Sequence, residues 1–190
     1  GYDLVLVDLL TCAKFDQMQV VIVGGSGFVG RAVCSRLVAE GHAVCIVSRA
    51  PERALLSQES CRWVRTPPNR DGWVRLLDSA DAVINLAGAG VADRRWTDAR
   101  KSEILQSRVE TTRAVSVACA TANRPPSVLI NASAIGYYGD QGDELLSEGS
   151  PAGDDFLAQV CAEWEGATAT AGHRGTRVVL ARIGVVLGPG

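Results

Sequence analysis

Two hydrophobic patterns alternate along most of the chain. Short apolar runs, typical of strands buried on both faces, are separated by longer segments in which apolar residues recur every three or four positions, as in sheet-covering helices. The runs predict six strands: Gln19–Val23, Ala43–Val47, Arg62–Val64, Ala82–Leu86, Val128–Ala132 and Arg177–Ala181.

The longer segments between these runs predict helices, each with a start or stop signal. The predicted helices are Phe28–Glu40, Glu52–Leu56, Asp98–Ala122 and a fourth from an Asp154 cap to Ala171, while the stretch "RTPPNRDG" is predicted to be a loop. Gly41 follows the first helix, Pro51 opens the second and Thr97 caps the third. Strand–helix alternation with crossovers of this length predicts a doubly wound α/β fold, a parallel sheet with helices on both faces.

The turn between the first strand and the first helix carries a candidate binding motif. In "VVIVGGSGFVGRAV" the glycines Gly24, Gly27 and Gly30 stand three apart. In a first βαβ unit, such glycines allow a tight turn, close backbone approach to a pyrophosphate, and close packing of helix on strand. The helix start presents free N–H groups to phosphate. We predict a dinucleotide site, completed here by Ser26, Phe28 and Val29.

The end of the second strand indicates which dinucleotide binds. NAD sites usually carry an acid there for the ribose 2′-hydroxyl. This chain instead reads "IVSRAPER", with Ser48 and Arg49 at the strand end and Arg53 one helical turn further on. Paired arginines favour a 2′-phosphate, so the prediction is NADP(H). The alternative is that these arginines form only a solvated rim.

Composition excludes several classes of partner and places the protein in a reducing environment. The 190 residues are 47% hydrophobic with a net charge of −2, which gives no reason to expect nucleic acid. No apolar run reaches the length of about 18 residues needed for a membrane span. The six cysteines form no CxxC pair and mostly occupy apolar segments. We interpret them as buried thiols in the cytoplasm or an organelle interior, such as the mitochondrial matrix or chloroplast stroma. His42 and His173 follow glycines at helix ends, so no metal site is expected.

Several segments together resemble one protein family. "GGSGFVG", "DAVINLAGAG", "RRWTDARKSEILQSRVETT", "SAIGYYGD" and "ARIGVVLGPG" are similar to the extended and atypical short-chain dehydrogenase/reductases, in their NAD(P)-dependent epimerase branch, whose substrate is unassigned. The resemblance implies a Rossmann fold for 18–190. It also implies that Leu86, Ala87 and Gly88 lie beside the ribose and nicotinamide of the cofactor. Members of this family continue into a C-terminal substrate lobe, which we expect this chain to lack, and residues 1–17 are an extension of unknown role.

The catalytic pair that the resemblance implies is missing. Such enzymes use a tyrosine with a lysine four residues later, yet the only lysines are Lys14 and Lys101, and neither follows a tyrosine at that spacing. On the helix that normally carries the pair, the equivalent positions look like Asp155 and Gln159. If the chain is catalytic, Ser133 orients a carbonyl and Tyr137 donates the proton.

The role of Arg108 and the function of the whole chain each have two alternative interpretations. Arg108 either supplies charge to the site from another direction or pairs with Glu103 or Glu110 on its helix. The chain is then either an NADP(H)-dependent oxidoreductase or epimerase acting on an unknown small molecule, or a non-catalytic cofactor-binding subunit. The second role would be structural or redox-sensing, within a larger protein assembly.

Overall fold

A parallel six-stranded sheet forms the centre of the molecule. The computed structural model describes residues 17–51 and 61–188. Its strands are β1 Gln19–Val23, β2 Ala43–Ser48, β3 Cys61–Arg65, β4 Ala82–Asn85, β5 Val128–Ala134 and β6 Arg177–Ile183. They pair in the order β3-β2-β1-β4-β5-β6, every pair parallel. The prediction of a doubly wound Rossmann fold is confirmed.

Helices cover both faces of this sheet. They are α1 Phe28–Ala39, α2 Arg70–Leu77, α3 Asp98–Thr121 and α4 Phe156–Gly166, with short 3₁₀ turns at Ile135–Tyr138 and Ala171–Arg174. On one face Leu37 of α1 packs in the core that contains Ile22 of β1. On the other face Leu77 of α2 and Val115 of α3 pack with Val21 of β1. Successive β1 residues thus enter opposite cores, which explains why the strand is apolar throughout.

Helix α2 begins where the sequence predicted a loop. Asn69 caps it by accepting a hydrogen bond from the backbone N–H of Gly72 at 2.9 Å. Trp73 and Leu77, four residues apart, are both buried against the sheet. A proline pair precedes this helix and Gly72 lies within it, so local propensity disfavours a helix there. Tertiary packing overrides that propensity, which is why the sequence did not predict the helix. The predicted helix Glu52–Leu56 lies outside the described residues.

Helix α4 is shorter than predicted at both ends. Its cap is Asp155 rather than Asp154, and the Asp155 carboxylate accepts from the N–H of Ala158 at 2.8 Å. The helix ends at Gly166 instead of reaching Ala171. The Thr168 hydroxyl donates to the carbonyl of Glu165 at 2.7 Å, and such local side-chain bonds compete with continued helix.

The strand order places the crevice expected of an open α/β sheet at the carboxyl ends of β1 and β4, which are paired neighbours. The chain crosses from β3 back to β4 beside β1, so the connections leave the carboxyl ends of these two strands in opposite directions. Ligands of open α/β sheets bind at such a switch point. None of the helices in the described ranges is long and apolar enough to cross a membrane.

Candidate functional site

The glycine turn lies directly over the end of β4. Gly24 has a φ of +79°, and a Cβ there would stand 2.9 Å from the backbone N of Ala87. Gly30 meets the turn from α1, where a Cβ would lie 2.5 Å from the Cα of Gly25. Both positions therefore require glycine, Gly24 for its positive φ and its contact with Ala87, and Gly30 for the close packing of α1 on the turn.

Gly27 is the glycine that leaves open space. It is exposed and has an extended backbone, with φ −75° and ψ 174°, and a Cβ there would approach only the carbonyl of Gly24, at 3.4 Å. It stands at the N-cap of α1, where no side chain caps the first-turn N–H groups. Ser26 and Phe28 are exposed beside it, and Val29 is half-buried. This helix start can therefore accept an anion, such as a pyrophosphate, without displacing an existing cap.

The end of β2 presents arginine rather than acid to this crevice. Ser48 is buried, and its hydroxyl accepts from the N–H of Ala50 at 3.2 Å and faces Ser26 at 3.5 Å. Arg49 is exposed, and its backbone carbonyl accepts from Arg65 Nη1 at 2.8 Å. Arg53 lies outside the described residues. Arg65, which sequence reasoning did not select, therefore lies beside Arg49 at the end of β2.

A buried polar network holds the β4 side of the crevice. Asn85 donates to Asn131 on β5 at 2.7 Å and to the hydroxyl of Thr112 on α3 at 2.8 Å, while Trp164 of α4 donates to that hydroxyl at 2.9 Å. The Asn85 side-chain oxygen accepts from the N–H of Ala87 at 3.3 Å. Because every member is bonded, the network is expected to fix the backbone of Leu86, Ala87 and Gly88. Sequence reasoning missed this network, although amides inside apolar strands were a usable signal.

The Ser133 side chain is bonded to a carboxylate. Its hydroxyl donates to Glu165 Oε1 at 2.6 Å. Arg182 on β6 holds the same carboxylate through both oxygens, Nε to Oε1 at 2.8 Å and Nη2 to Oε2 at 2.9 Å. Burial alone would raise the pKa of Glu165, but the hydrogen bonds from Arg182 and Ser133 and the charge of Arg182 outweigh it and hold that pKa below its usual range. Glu165 is therefore ionised at neutral pH.

Two tyrosines flank the arginine of this pair. The Arg182 Cζ lies 3.5 Å from the centre of the Tyr137 ring, and its Nη1 donates to the hydroxyl of Tyr138 at 2.8 Å. Hydrogen bonding to Glu165 raises the pKa of Arg182, so the group stays charged. Glu165, Arg182, Ser133 and the tyrosines thus form one cluster at the ends of β5 and β6. Sequence reasoning selected Ser133 and Tyr137 but missed the ion pair behind them.

The helix positions expected to replace the tyrosine and lysine do not contact this cluster. Asp155 caps α4, and Gln159 is exposed, with its amide donating to the carbonyl of Asp154 at 3.2 Å. The residues of α4 that reach Ser133 are Glu165 and Cys161, whose thiol pKa is raised by burial. Neither predicted position therefore belongs to the cluster around Ser133.

Arg108 points into the crevice and does not pair with either candidate acid on its own helix. Its Nη1 donates to the carbonyls of Ala89 at 2.9 Å and Ile104 at 3.0 Å, and its Cζ lies 5.0 Å from the Trp164 ring. Burial lowers the pKa of this guanidinium. Of the two predicted alternatives, pairing with Glu103 or Glu110 is wrong. Within the described ranges, no three His, Cys, Asp or Glu side chains are grouped as metal ligands would be.

Comparison with known proteins assigns the family. The model of the NAD dependent epimerase/dehydratase family matches residues 20–190. An epimerase family protein of Mycobacterium bovis is 44% identical over 171 residues, covering 90% of this chain and 54% of that protein. The chain belongs to the NAD-dependent epimerase/dehydratase family.

Two further family members bear on the site. The chloroplastic SDR39U1 homologue of Arabidopsis thaliana is 37% identical, covering 95% of this chain and 52% of that protein. The crystal structure of human SDR39U1 (isoform 2) with NADPH matches at 34% identity and a TM-score of 0.74, covering 91% of this chain and 56% of that one. The chain spans about half the length of the curated relatives it matches. Membership in a short-chain dehydrogenase/reductase family with a Rossmann fold, as the motifs implied, is confirmed.

Proposed function

We propose that the chain is an NADP(H)-binding Rossmann domain of an oxidoreductase or epimerase. The observation that carries this proposal is the turn at Gly24, where a Cβ would strike the backbone of Ala87, together with the open, uncapped helix start at Gly27. A pyrophosphate fits this combination because backbone N–H groups are left to face it. The cofactor supplies hydride chemistry, and the residues of this chain hold and orient it.

The preference for NADP(H) rests on the positive end of β2. Arg49 is exposed there, with Arg65 against its backbone, and Ser48 stands where an acid would favour NAD. The human relative crystallised with NADPH supports the same preference. The test is Arg49→Asp, which replaces the cation by the acid typical of NAD sites. We expect this variant to bind NADH more tightly than NADPH. An exposed arginine away from the crevice, Arg113→Asp, serves as the matched control, and an unchanged preference in Arg49→Asp would refute the assignment.

A second role, as a cofactor-binding subunit without its own turnover, is favoured by the state of Ser133. Its hydroxyl proton is engaged by Glu165 at 2.6 Å, so it cannot at the same time donate to a substrate carbonyl. No lysine stands on α4 to hold the cofactor ribose. This role requires an assembly partner, and a complex whose stability depends on added NADPH would support it.

The cysteines support a reducing compartment for either role. Cys34, Cys45, Cys119 and Cys161 are buried, and Cys61 is half-buried. Cys34 and Cys61 lie only 2.9 Å apart, sulfur to sulfur. Buried cysteines of this kind suit the reducing cytoplasm or an organelle interior.

A further inference from the structure

Arg108 differs from Arg182 in what its guanidinium binds. Arg182 uses its Nε and Nη2 edge to hold both oxygens of Glu165. Arg108 uses only Nη1, which donates to two backbone carbonyls. Across the part of the chain that the structure describes, the Nε and Nη2 of Arg108 have no hydrogen-bond acceptor, and no carboxylate forms an ion pair with it. Neither nitrogen is sealed in the interior, unlike Nε of Arg100, which is buried without a partner.

The surroundings of Arg108 hold its guanidinium in one orientation. The two carbonyls fix Nη1, and the Trp164 ring supports the group from 5.0 Å. Trp164 is itself fixed, because its Nε1 donates to Thr112 in the buried network. On the side of β4, the Arg108 Cζ lies against Gly88, where an added Cβ would stand 2.9 Å from it. The remaining edge is therefore presented in a fixed geometry.

Two properties of that edge define its ligand. The Nε and Nη2 of arginine present two parallel N–H groups, which match the two coplanar oxygens of a carboxylate. Burial disfavours the charged guanidinium and lowers the pKa of Arg108. A bound anion would relieve this cost, whereas a neutral hydroxyl would relieve less of it.

We propose that Arg108, held between Gly88 and Trp164, uses its Nε and Nη2 edge to bind the carboxylate of a small-molecule substrate beside the cofactor groove. The substrate class is thus a carboxylic acid. The position of this acid next to the nicotinamide rests on the proposed function, whereas the carboxylate-binding edge of Arg108 does not depend on it.

The test measures ligand binding rather than turnover, by calorimetry with pyruvate and benzoate in the presence and absence of NADPH. The amides pyruvamide and benzamide are the uncharged controls. We expect saturable binding of both acids, about 10- to 100-fold tighter than their amides, as suits a charge-assisted bidentate pair. Arg108→Gln should lose this difference, and Arg108→Lys, which keeps the charge but not the fork, should lose most of it. Arg113→Gln, on the exposed side of α3, should bind like the wild type.

Several outcomes would overturn the inference. These are equal binding of acid and amide by the wild type, unchanged acid binding by a folded Arg108→Gln variant, or tighter binding of inorganic phosphate than of either acid. NADPH affinity is measured on the same samples. If NADPH binds and the acids do not, the inference fails alone; if the acids bind and NADPH does not, the proposed function fails instead.

Discussion

Replacing Glu165 with glutamine removes the carboxylate that holds Arg182 and Ser133 together. The Glu165 and Arg182 side chains are only 9% and 18% exposed, so the substitution leaves a largely buried cation without its counter-charge. Removing one partner of a buried pair costs about 3–5 kcal/mol. Arg182 keeps its bonds to Tyr138 and the carbonyl of Glu148, and glutamine can still accept from Ser133. We therefore expect a loss of about 2–3 kcal/mol, which lowers the melting temperature of a domain of this size by about 4–12 °C.

The same pair predicts a dependence on pH. The pKa of Glu165 lies below its ordinary value of 4.5, so its contribution is fully present above the pKa of the unfolded chain and disappears as pH falls through the lower folded value. The gap between wild type and Glu165→Gln should be constant from about pH 6 to pH 8 and shrink as pH falls below about 4.

Thermal unfolding followed by circular dichroism measures both effects. The matched control is Glu40→Gln, which removes the surface i,i+4 pair between Arg36 Nε and Glu40 Oε1 at 2.7 Å. Such exposed pairs contribute about 0.3–0.5 kcal/mol, so this variant should melt within about 2 °C of wild type. Equal melting of Glu165→Gln and Glu40→Gln at pH 7 would refute the reasoning, as would a gap that widens toward acid.

Two further predictions concern binding and turnover. Gly27→Val should fold, because a Cβ fits there, but it should lose NADPH binding. Gly30→Ala should instead destabilise the fold, because its Cβ would lie 2.5 Å from the Cα of Gly25. A Gly27→Val protein that still binds NADPH would contradict the assignment of the glycine turn to the cofactor. With a panel of aldehydes, ketones and nucleotide sugars, we expect little or no NADPH oxidation by the chain, because the Tyr–Lys pair is missing and a matched general acid contributes about 10²- to 10⁴-fold. Any activity that is measured should fall in Ser133→Ala and Tyr137→Phe, and robust turnover by wild type would contradict the non-catalytic role.

Local patterns were sufficient to predict the sheet and the glycine turn. β1 is apolar throughout because its residues alternate between two buried cores, and a run buried on both faces can be read without knowing its neighbours. Gly24 follows that strand directly, so its need for positive φ is also local. The structure of the glycine turn could therefore be predicted from the residues next to it.

The cluster around Ser133 depends on contacts that no local pattern contains. Glu165 on α4 and Arg182 on β6 are 17 residues apart, and only the packing of α4 on the sheet brings them to Ser133, 32 residues before Glu165. The face of α4 that packs inward carries Cys161, Trp164 and Glu165. The Asp155 and Gln159 positions were inferred only from the tyrosine–lysine spacing of the family, which contains no information about these contacts.

The central claim is that this chain binds a dinucleotide at the Gly24–Gly30 turn and selects NADPH at Arg49. The most direct measurement is the pair of dissociation constants for NADPH and NADH, from fluorescence titration of the wild-type chain at fixed ionic strength. We predict that NADPH binds about 5- to 30-fold more tightly, as expected for a phosphate paired with an arginine at an exposed rim. Equal affinities, tighter binding of NADH, or no binding of either would contradict the account.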